Sequence, residues 1–203
     1  MTRTLVNLLY SAGEFLQNTE FLHFGERPPV IESYGFGYNI DVNQRSNQLI
    51  AELAALLLQK RMRLCTAESC TGGLIAKSLT DLAGSSDWFE CGFVTYSNAS
   101  KSDMIDVPES VIGEYGAVSE AVANAMAIGA LQKCIADVSV AVTGVAGPAG
   151  GSVEKPVGTV WIAVASEKQL VANKFLFDGD REAIRTATLL SAIEMLLQLI
   201  KIA

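Results

Sequence analysis

Histidine is almost missing from this chain. Only His23 has an imidazole among 203 residues, and the four cysteines (Cys65, Cys70, Cys91 and Cys134) form no Cys-x-x-Cys pair. That shortage excludes a cysteine–histidine zinc set, which needs several such ligands at close spacing. It also keeps the commonest general base out of the regular part of the chain, so a Ser-His-Asp triad would have to recruit His23 from an aromatic arm. The net charge is −7 with no Lys/Arg cluster, which argues against a nucleic-acid or anionic-membrane surface. No uninterrupted apolar run reaches the roughly 18 residues that a bilayer-spanning segment needs. The start, Met1 to Asn7, lacks the basic, apolar and small-residue order of a secretory signal. The expectation is a cytoplasmic protein with reduced thiols that handles a small molecule, with Asn98-Ala99-Ser100 an accidental sequon.

Half of the residues are hydrophobic, enough to bury a core in one domain plus some extra chain. Residues 1–45 differ from the rest. They are rich in Phe and Tyr and broken by Pro28-Pro29, Gly35 and Gly37, with a helix expected over about Leu5 to Leu16. They read as an extension that packs on the domain or on a second subunit, or else as a lid. The regular domain is expected over 46–203. Leu49, Leu53, Leu56 and Leu57 predict a helix to Lys60 with Ser46 or Asn47 as N-cap. Strands are expected at Arg63 to Ala67, Trp88 to Tyr96 and Val138 to Thr143, the last a continuous apolar run suited to burial on both faces. Gly158 to Ala165 and Leu170 to Phe177 predict a hairpin. Helices are expected from Leu74 to Leu82, Ser97 to Met104, Pro108 to Tyr115, Ser119 to Ile135 and Asp180 to Ile202. Strands alternating with helices, and one late hairpin, predict a layered α/β domain with a mixed β-sheet flanked by helices.

The stretch from Thr66 to Gly73, Thr-Ala-Glu-Ser-Cys-Thr-Gly-Gly, falls on a strand-to-helix turn, where a side chain and backbone N–H groups project into a crevice. Ser69 is the candidate nucleophile. Cys70 is its rival, or else a small hydrophobe turned into the core. Without a core histidine, a lysine made neutral by burial or by a cationic neighbour is the remaining way to activate a serine at neutral pH. Lys101, just beyond the end of a core strand with Tyr96, is the best candidate; its alternative is a solvated helix lysine. The loop from Gly144 to Ser152 has glycines at 144, 147, 150 and 151. It could offer N–H groups to an oxyanion or a phosphate, yet it spells neither nucleotide-binding fingerprint. Arg181 and Arg185, one turn apart, could clamp a phosphate, or could pair with Asp178, Asp180 or Glu182 in solvent.

Taken in order, the Thr66–Gly73 motif, Gly84-Ser85-Ser86 with Trp88-Phe89, Gly92 to Asn98, Gly116 to Glu120, Val142-Thr143-Gly144 through Trp161, and Gly179-Asp180-Arg181 resemble the CinA C-terminal domain (PncC) family, the nicotinamide-nucleotide amidohydrolases. The resemblance covers about residues 47–202. It implies an α/β fold and deamidation of nicotinamide mononucleotide to nicotinate mononucleotide and ammonia, by a serine–lysine mechanism without metal or other cofactor. By the same resemblance Ser69 is the nucleophile, Lys101 its base and Tyr96 a relay or orienting partner. Thr71, Gly72, Gly73, Thr143, Gly144, Gly147 and Arg181 are then expected to bind the nucleotide. A homo-oligomer without nucleic-acid or membrane partners is expected. The reading from another class is a non-catalytic ligand-sensing or scaffold domain serving DNA uptake or repair.

Overall fold

The computed structural model describes residues 20–21 and 38–202. A short strand β1 (Glu20–Phe21) precedes helix α1 (Tyr38–Lys60). Then come β2 (Leu64–Glu68), α2 (Leu74–Thr80), a 3₁₀ turn (Ser85–Asp87), β3 (Phe89–Val94), α3 (Asn98–Ile105), α4 (Glu109–Tyr115) and α5 (Glu120–Lys133). The chain continues through β4 (Val138–Gly144), β5 (Thr159–Ser166), β6 (Gln169–Leu176) and α6 (Arg181–Ile202). One sheet holds all these strands in the order β1-β6-β5-β4-β2-β3. β4, β2 and β3 run parallel, while β5 is antiparallel to both β4 and β6. The fold is therefore the expected α/β architecture with a mixed sheet.

The two faces of the sheet differ in side-chain size, and that decides which helix lies on which. Val138, Val140 and Val142 with Val160, Ile162 and Val164 pack into one core with α1 and α6. The alternate residues, Ala141, Ala163 and Ala165, join a second core with the alanine-rich α5. Small residues on both partners let α5 lie close to the sheet, near enough for the buried Ser139 hydroxyl to donate to Ala127 O at 2.8 Å. α5 also meets the end of α3 backbone to side: a Cβ on Gly129 would fall 1.9 Å from Ile105 O. That contact sets the helix carrying Lys101.

α6 is long and apolar enough by composition to cross a bilayer. Its Ile184, Leu189, Ile193, Leu196 and Ile200 are instead buried against α1 and the sheet. Each such side chain contributes about 1.5–3 kcal/mol when fully buried.

Local capping follows the sequence closely. Ser97 and Ser119 accept from the backbone N–H of Ser100 and Val122, and Pro108 stands at the N-cap of α4. The start of α1 is where expectation and structure part. The helix begins at Tyr38, so Ser46 and Asn47 lie inside it rather than at its cap. Hydrophobic periodicity marks the packed part of a helix, here Ile50, Leu53, Ala54 and Leu57, and not its hydrogen-bonded length. An ion pair from Arg45 to Glu194 at 2.6 Å holds the earlier turns to α6. The helix expected over Leu5 to Leu16 and His23 lie outside the described residues; of the aromatic arm, Glu20–Phe21 is described and pairs in parallel with Gln169 and Leu170 of β6.

Candidate active site

Ser69 follows the last residue of β2, the strand flanked by two parallel neighbours. Its N–H donates to Val142 O of β4 at 3.0 Å, and Thr95 N–H beyond β3 donates to Glu68 O at 2.8 Å. The residue is thus held from both sides at the carboxyl ends of parallel strands, the usual ligand crevice of such sheets. The chain then turns back on itself: Gly72 N–H donates to Ser69 O at 3.1 Å, with φ of 59° at Gly72 and 94° at Gly73. A non-glycine residue is strained in that left-handed region.

Lys101 reaches this turn from α3. Its Nζ lies 3.1 Å from Ser69 Oγ, 2.8 Å from Thr95 O and 3.4 Å from Tyr96 O. Lys101 is 1 % exposed and Ser69 8 %, so the alternative of a solvated helix lysine does not describe it. Burial pushes the Lys101 ammonium below the ordinary lysine range, with the neighbouring Cys70 acting in the opposite sense. A neutral amine has two N–H donors and one lone pair. The two nearest carbonyls can take the donors, which leaves the lone pair for the Ser69 hydroxyl proton.

The remaining candidates divide into two groups. Tyr96, 59 % exposed, accepts from Arg181 Nη2 at 3.2 Å, and Arg181 Nη1 donates to Gly147 O at 3.0 Å. Arg181 therefore ties the glycine-rich loop to the tyrosine. The Tyr96 phenol makes no hydrogen bond to the side chain of Ser69 or Lys101 among the described residues. Arg185 donates through both Nε and Nη2 to Thr71 O. Neither arginine pairs with Asp178, Asp180 or Glu182. Thr143 is buried beside the turn, but its hydroxyl donates to Ala117 O at 2.7 Å and so faces the loop between α4 and α5. Gly144 ends β4 at the same edge.

The model of the CinA C-terminal domain family matches residues 46–200. The chain belongs to that family. It is 54 % identical over 143 residues to nicotinamide-nucleotide amidohydrolase PncC of Enterobacter agglomerans, covering 70 % of this chain and 87 % of that one. The solved structure of competence/damage inducible protein CihA from Agrobacterium tumefaciens superposes with a TM-score of 0.72 at 42 % identity, over 78 % of this chain and 95 % of that one. A CinA superfamily protein from Escherichia coli does so with a TM-score of 0.74 at 36 % identity, covering 84 % and 95 %.

Within this CinA-type domain, Glu68 is the residue that sequence reasoning passed over. It is almost wholly buried, and its carboxylate accepts from the N–H groups of Gly73, Ile75 and Ala76 at 3.0, 3.0 and 2.8 Å. A negative charge at a helix N-terminus is favourable, and α2 has no cap from its own N-cap residue, Gly73. A lone glutamate ending an apolar strand, ahead of a helix without a Ser, Thr, Asp or Asn cap, was the available signal. Its consequence is chemical. Gly73 N–H, which the motif alone would leave open to the ligand, is occupied by Glu68, whereas the N–H groups of Cys70 and Thr71 have no backbone acceptor among the described residues and meet the Cys70 sulfur, a weak acceptor that a developing oxyanion can displace.

Cys70 is buried in the core on the α6 side. Burial pushes its thiol up to about 11, so it is a small hydrophobe and a poor nucleophile near neutrality. The other three thiols meet at the opposite end of β2. Cys65 and Cys91 are in register on adjacent strands, and hydrogen bonding to Cys65 lowers Cys134 to about 6. An apolar groove of about 540 Å³ between α4 and α5, lined in part by Pro108, Tyr115, Asn124 and Ile128, contains none of the candidate catalytic residues.

Proposed function

We propose that the chain hydrolyses the carboxamide of nicotinamide mononucleotide, giving nicotinate mononucleotide and ammonia, with Ser69 as nucleophile and Lys101 as general base and without a metal. Residues 46–203 form the catalytic unit in this reading, and residues 1–45 are an extension to it. The observation that carries it is the 3.1 Å separation of Lys101 Nζ and Ser69 Oγ in a buried setting, in a chain half identical to a named nicotinamide-nucleotide amidohydrolase.

Neutral Lys101 takes the hydroxyl proton as Ser69 Oγ attacks the carboxamide carbon, and the carbonyl oxygen becomes an oxyanion. Within the turn the N–H groups of Cys70 and Thr71 are the donors suited to hold it, with the glycine-rich loop after β4 as the other source of N–H groups. The proton on Lys101 passes to the amide nitrogen, the C–N bond breaks and ammonia leaves an acyl-serine. Water then repeats the path, with Lys101 as base, and releases the carboxylate. No step calls for a Lewis acid, because the lysine accepts the proton and the peptide N–H groups hold the charge. Arg181 and Tyr96, exposed at the mouth, grip the nucleotide, with the Arg181 guanidinium suited to the phosphate.

The test is ammonia and nicotinate mononucleotide formation by the purified protein, with and without a chelator. Stoichiometric release of both, unchanged by chelation, is expected. Loss of turnover on chelation, restored by a divalent ion, would overturn the metal-free mechanism. No turnover at all, with nicotinamide mononucleotide still bound, would favour the ligand-sensing domain.

A further inference from the structure

The two arginines at the start of α6 do different work. Arg181 faces the crevice mouth, while the Arg185 guanidinium is committed to one backbone oxygen, Thr71 O, through Nε at 3.1 Å and through Nη2. The guanidinium lies over the turn, since a Cβ on Gly72 would be 3.9 Å from Arg185 Nη2. A chain of peptide groups leads away from that oxygen. Thr71 O and Gly72 N–H belong to one peptide unit, and Gly72 N–H donates to Ser69 O at 3.1 Å. Ser69 O and Cys70 N–H belong to the next unit, and Cys70 N–H is one of the two donors of this turn that have no backbone acceptor and meet only the weakly accepting Cys70 sulfur among the described residues. In a trans peptide the C=O and N–H point in opposite directions. The relay therefore runs from the guanidinium through two peptides and ends on the N–H beside the nucleophile.

We infer that Arg185 is a positioning residue for the reaction: it orients and polarises the Ser69–Gly72 turn so that Cys70 N–H is aimed and strengthened for the oxyanion, without itself touching the substrate. This rests on the serine–lysine mechanism of the proposed function. A positive charge at one end of a hydrogen-bonded chain polarises each member in turn. A donor fixed in advance stabilises the transition state without reorganising at the moment of reaction. The fork matters because two N–H groups from one planar cation fix direction as well as distance. Leu74 N–H also donates to Thr71 O, at 3.2 Å, so the turn keeps one support when the arginine is removed.

The experiment compares Arg185→Ala and Arg185→Lys with wild type at a temperature where each is folded, as judged by its own unfolding curve. For Arg185→Ala, a kcat roughly 10- to 100-fold lower is expected, less than the loss of a whole oxyanion donor, with little change in KM. Arg185→Lys keeps the charge but not the fork and should recover only part of that loss. Guanidinium ion added to Arg185→Ala should restore activity. Affinity is read by calorimetry with nicotinamide mononucleotide in the Ser69→Ala background, where the Arg185→Ala change should leave Kd almost unaltered. If instead Kd weakens tenfold or more while kcat holds, Arg185 is a phosphate ligand and the positioning role is wrong. Labelling of Ser69 by a phosphonofluoridate, whose phosphoryl oxygen uses the same donors, should slow in parallel with kcat. That arm needs no turnover, so a wild type inactive on nicotinamide mononucleotide would remove the proposed function and still test Arg185. Labelling at the wild-type rate in Arg185→Ala overturns the inference.

Discussion

Replacing Lys101 by methionine tests the centre of the mechanism in two independent ways. Methionine is similar in length and carries no charge, so it fills the buried channel without a base at its end. A positioned general base is worth about 10²–10⁴-fold in rate, or roughly 3–5 kcal/mol at 1.36 kcal/mol per tenfold, and kcat should fall by that much. Lys101→Arg should be as inactive, because a guanidinium does not give up its proton at accessible pH. Stability responds to two opposed effects. Removing Nζ leaves Thr95 O, its partner at 2.8 Å, unpaired at about 1–3 kcal/mol, but also removes an ammonium from a residue that is 1 % exposed. At neutral pH these two oppose, so the deciding quantity is the pH dependence. Burial holds Lys101 below its ordinary value of 10.5 in the folded state. Between that lowered value and 10.5 the unfolded chain binds more protons, so the wild type gains stability as pH rises through this window. Below the window it bears the full penalty. Urea unfolding followed by the fluorescence of Trp88 and Trp161 should therefore show Lys101→Met comparing best with wild type near pH 7 and losing ground toward pH 10. A difference between the two proteins that is flat from pH 7 to 10 would refute the argument, since Lys101 would then titrate normally and could not serve as the base. Retained turnover in Lys101→Arg would refute it equally.

Ser69→Ala should abolish ammonia release and leave the unfolding midpoint close to wild type, because the turn is defined by glycines and backbone bonds; loss in Cys70→Ala with turnover kept in Ser69→Ala would move the nucleophile to Cys70. In Gly129→Ala the new Cβ would fall 1.9 Å from Ile105 O, so α3 and α5 must part; roughly 1–3 kcal/mol of destabilisation and a Tm about 3–10 °C lower are expected by calorimetry, and an unchanged Tm would show that the contact relaxes freely. Iodoacetamide should alkylate Cys134 ahead of the other thiols, with a rate that rises through about pH 6 rather than near the ordinary thiol value. Peptide mapping that finds Cys91 modified first would contradict this ordering of the thiols.

What the sequence determined by itself were the features that depend on near neighbours along the chain. The serine caps at 97 and 119, the proline opening α4, the hydrophobic run of β4 and the hairpin of β5 and β6 each follow from residues within a few positions of one another. For that reason they could be read before any fold was known. The order of strands and helices then limited the architecture to layered α/β, and the ordered motifs pointed to the family. Burial and partnership across long separations were decided only by the tertiary structure. In sequence Lys101 was a candidate base that could equally be a solvated helix lysine, and the choice is made only by the close contact of α5 with the end of α3, which sets its buried amine against Ser69, 32 residues away. Glu68 and Gly73 are near in sequence, yet the carboxylate caps α2 only because β2 and α2 fold back at the turn. Arg181 and Arg185, one helical turn apart and chemically identical, take separate roles because α6 crosses the sheet so that one guanidinium reaches Tyr96 and the other reaches a carbonyl 114 residues earlier in the chain. Such roles are set by which surfaces the packing brings together, and local pattern carries no record of that.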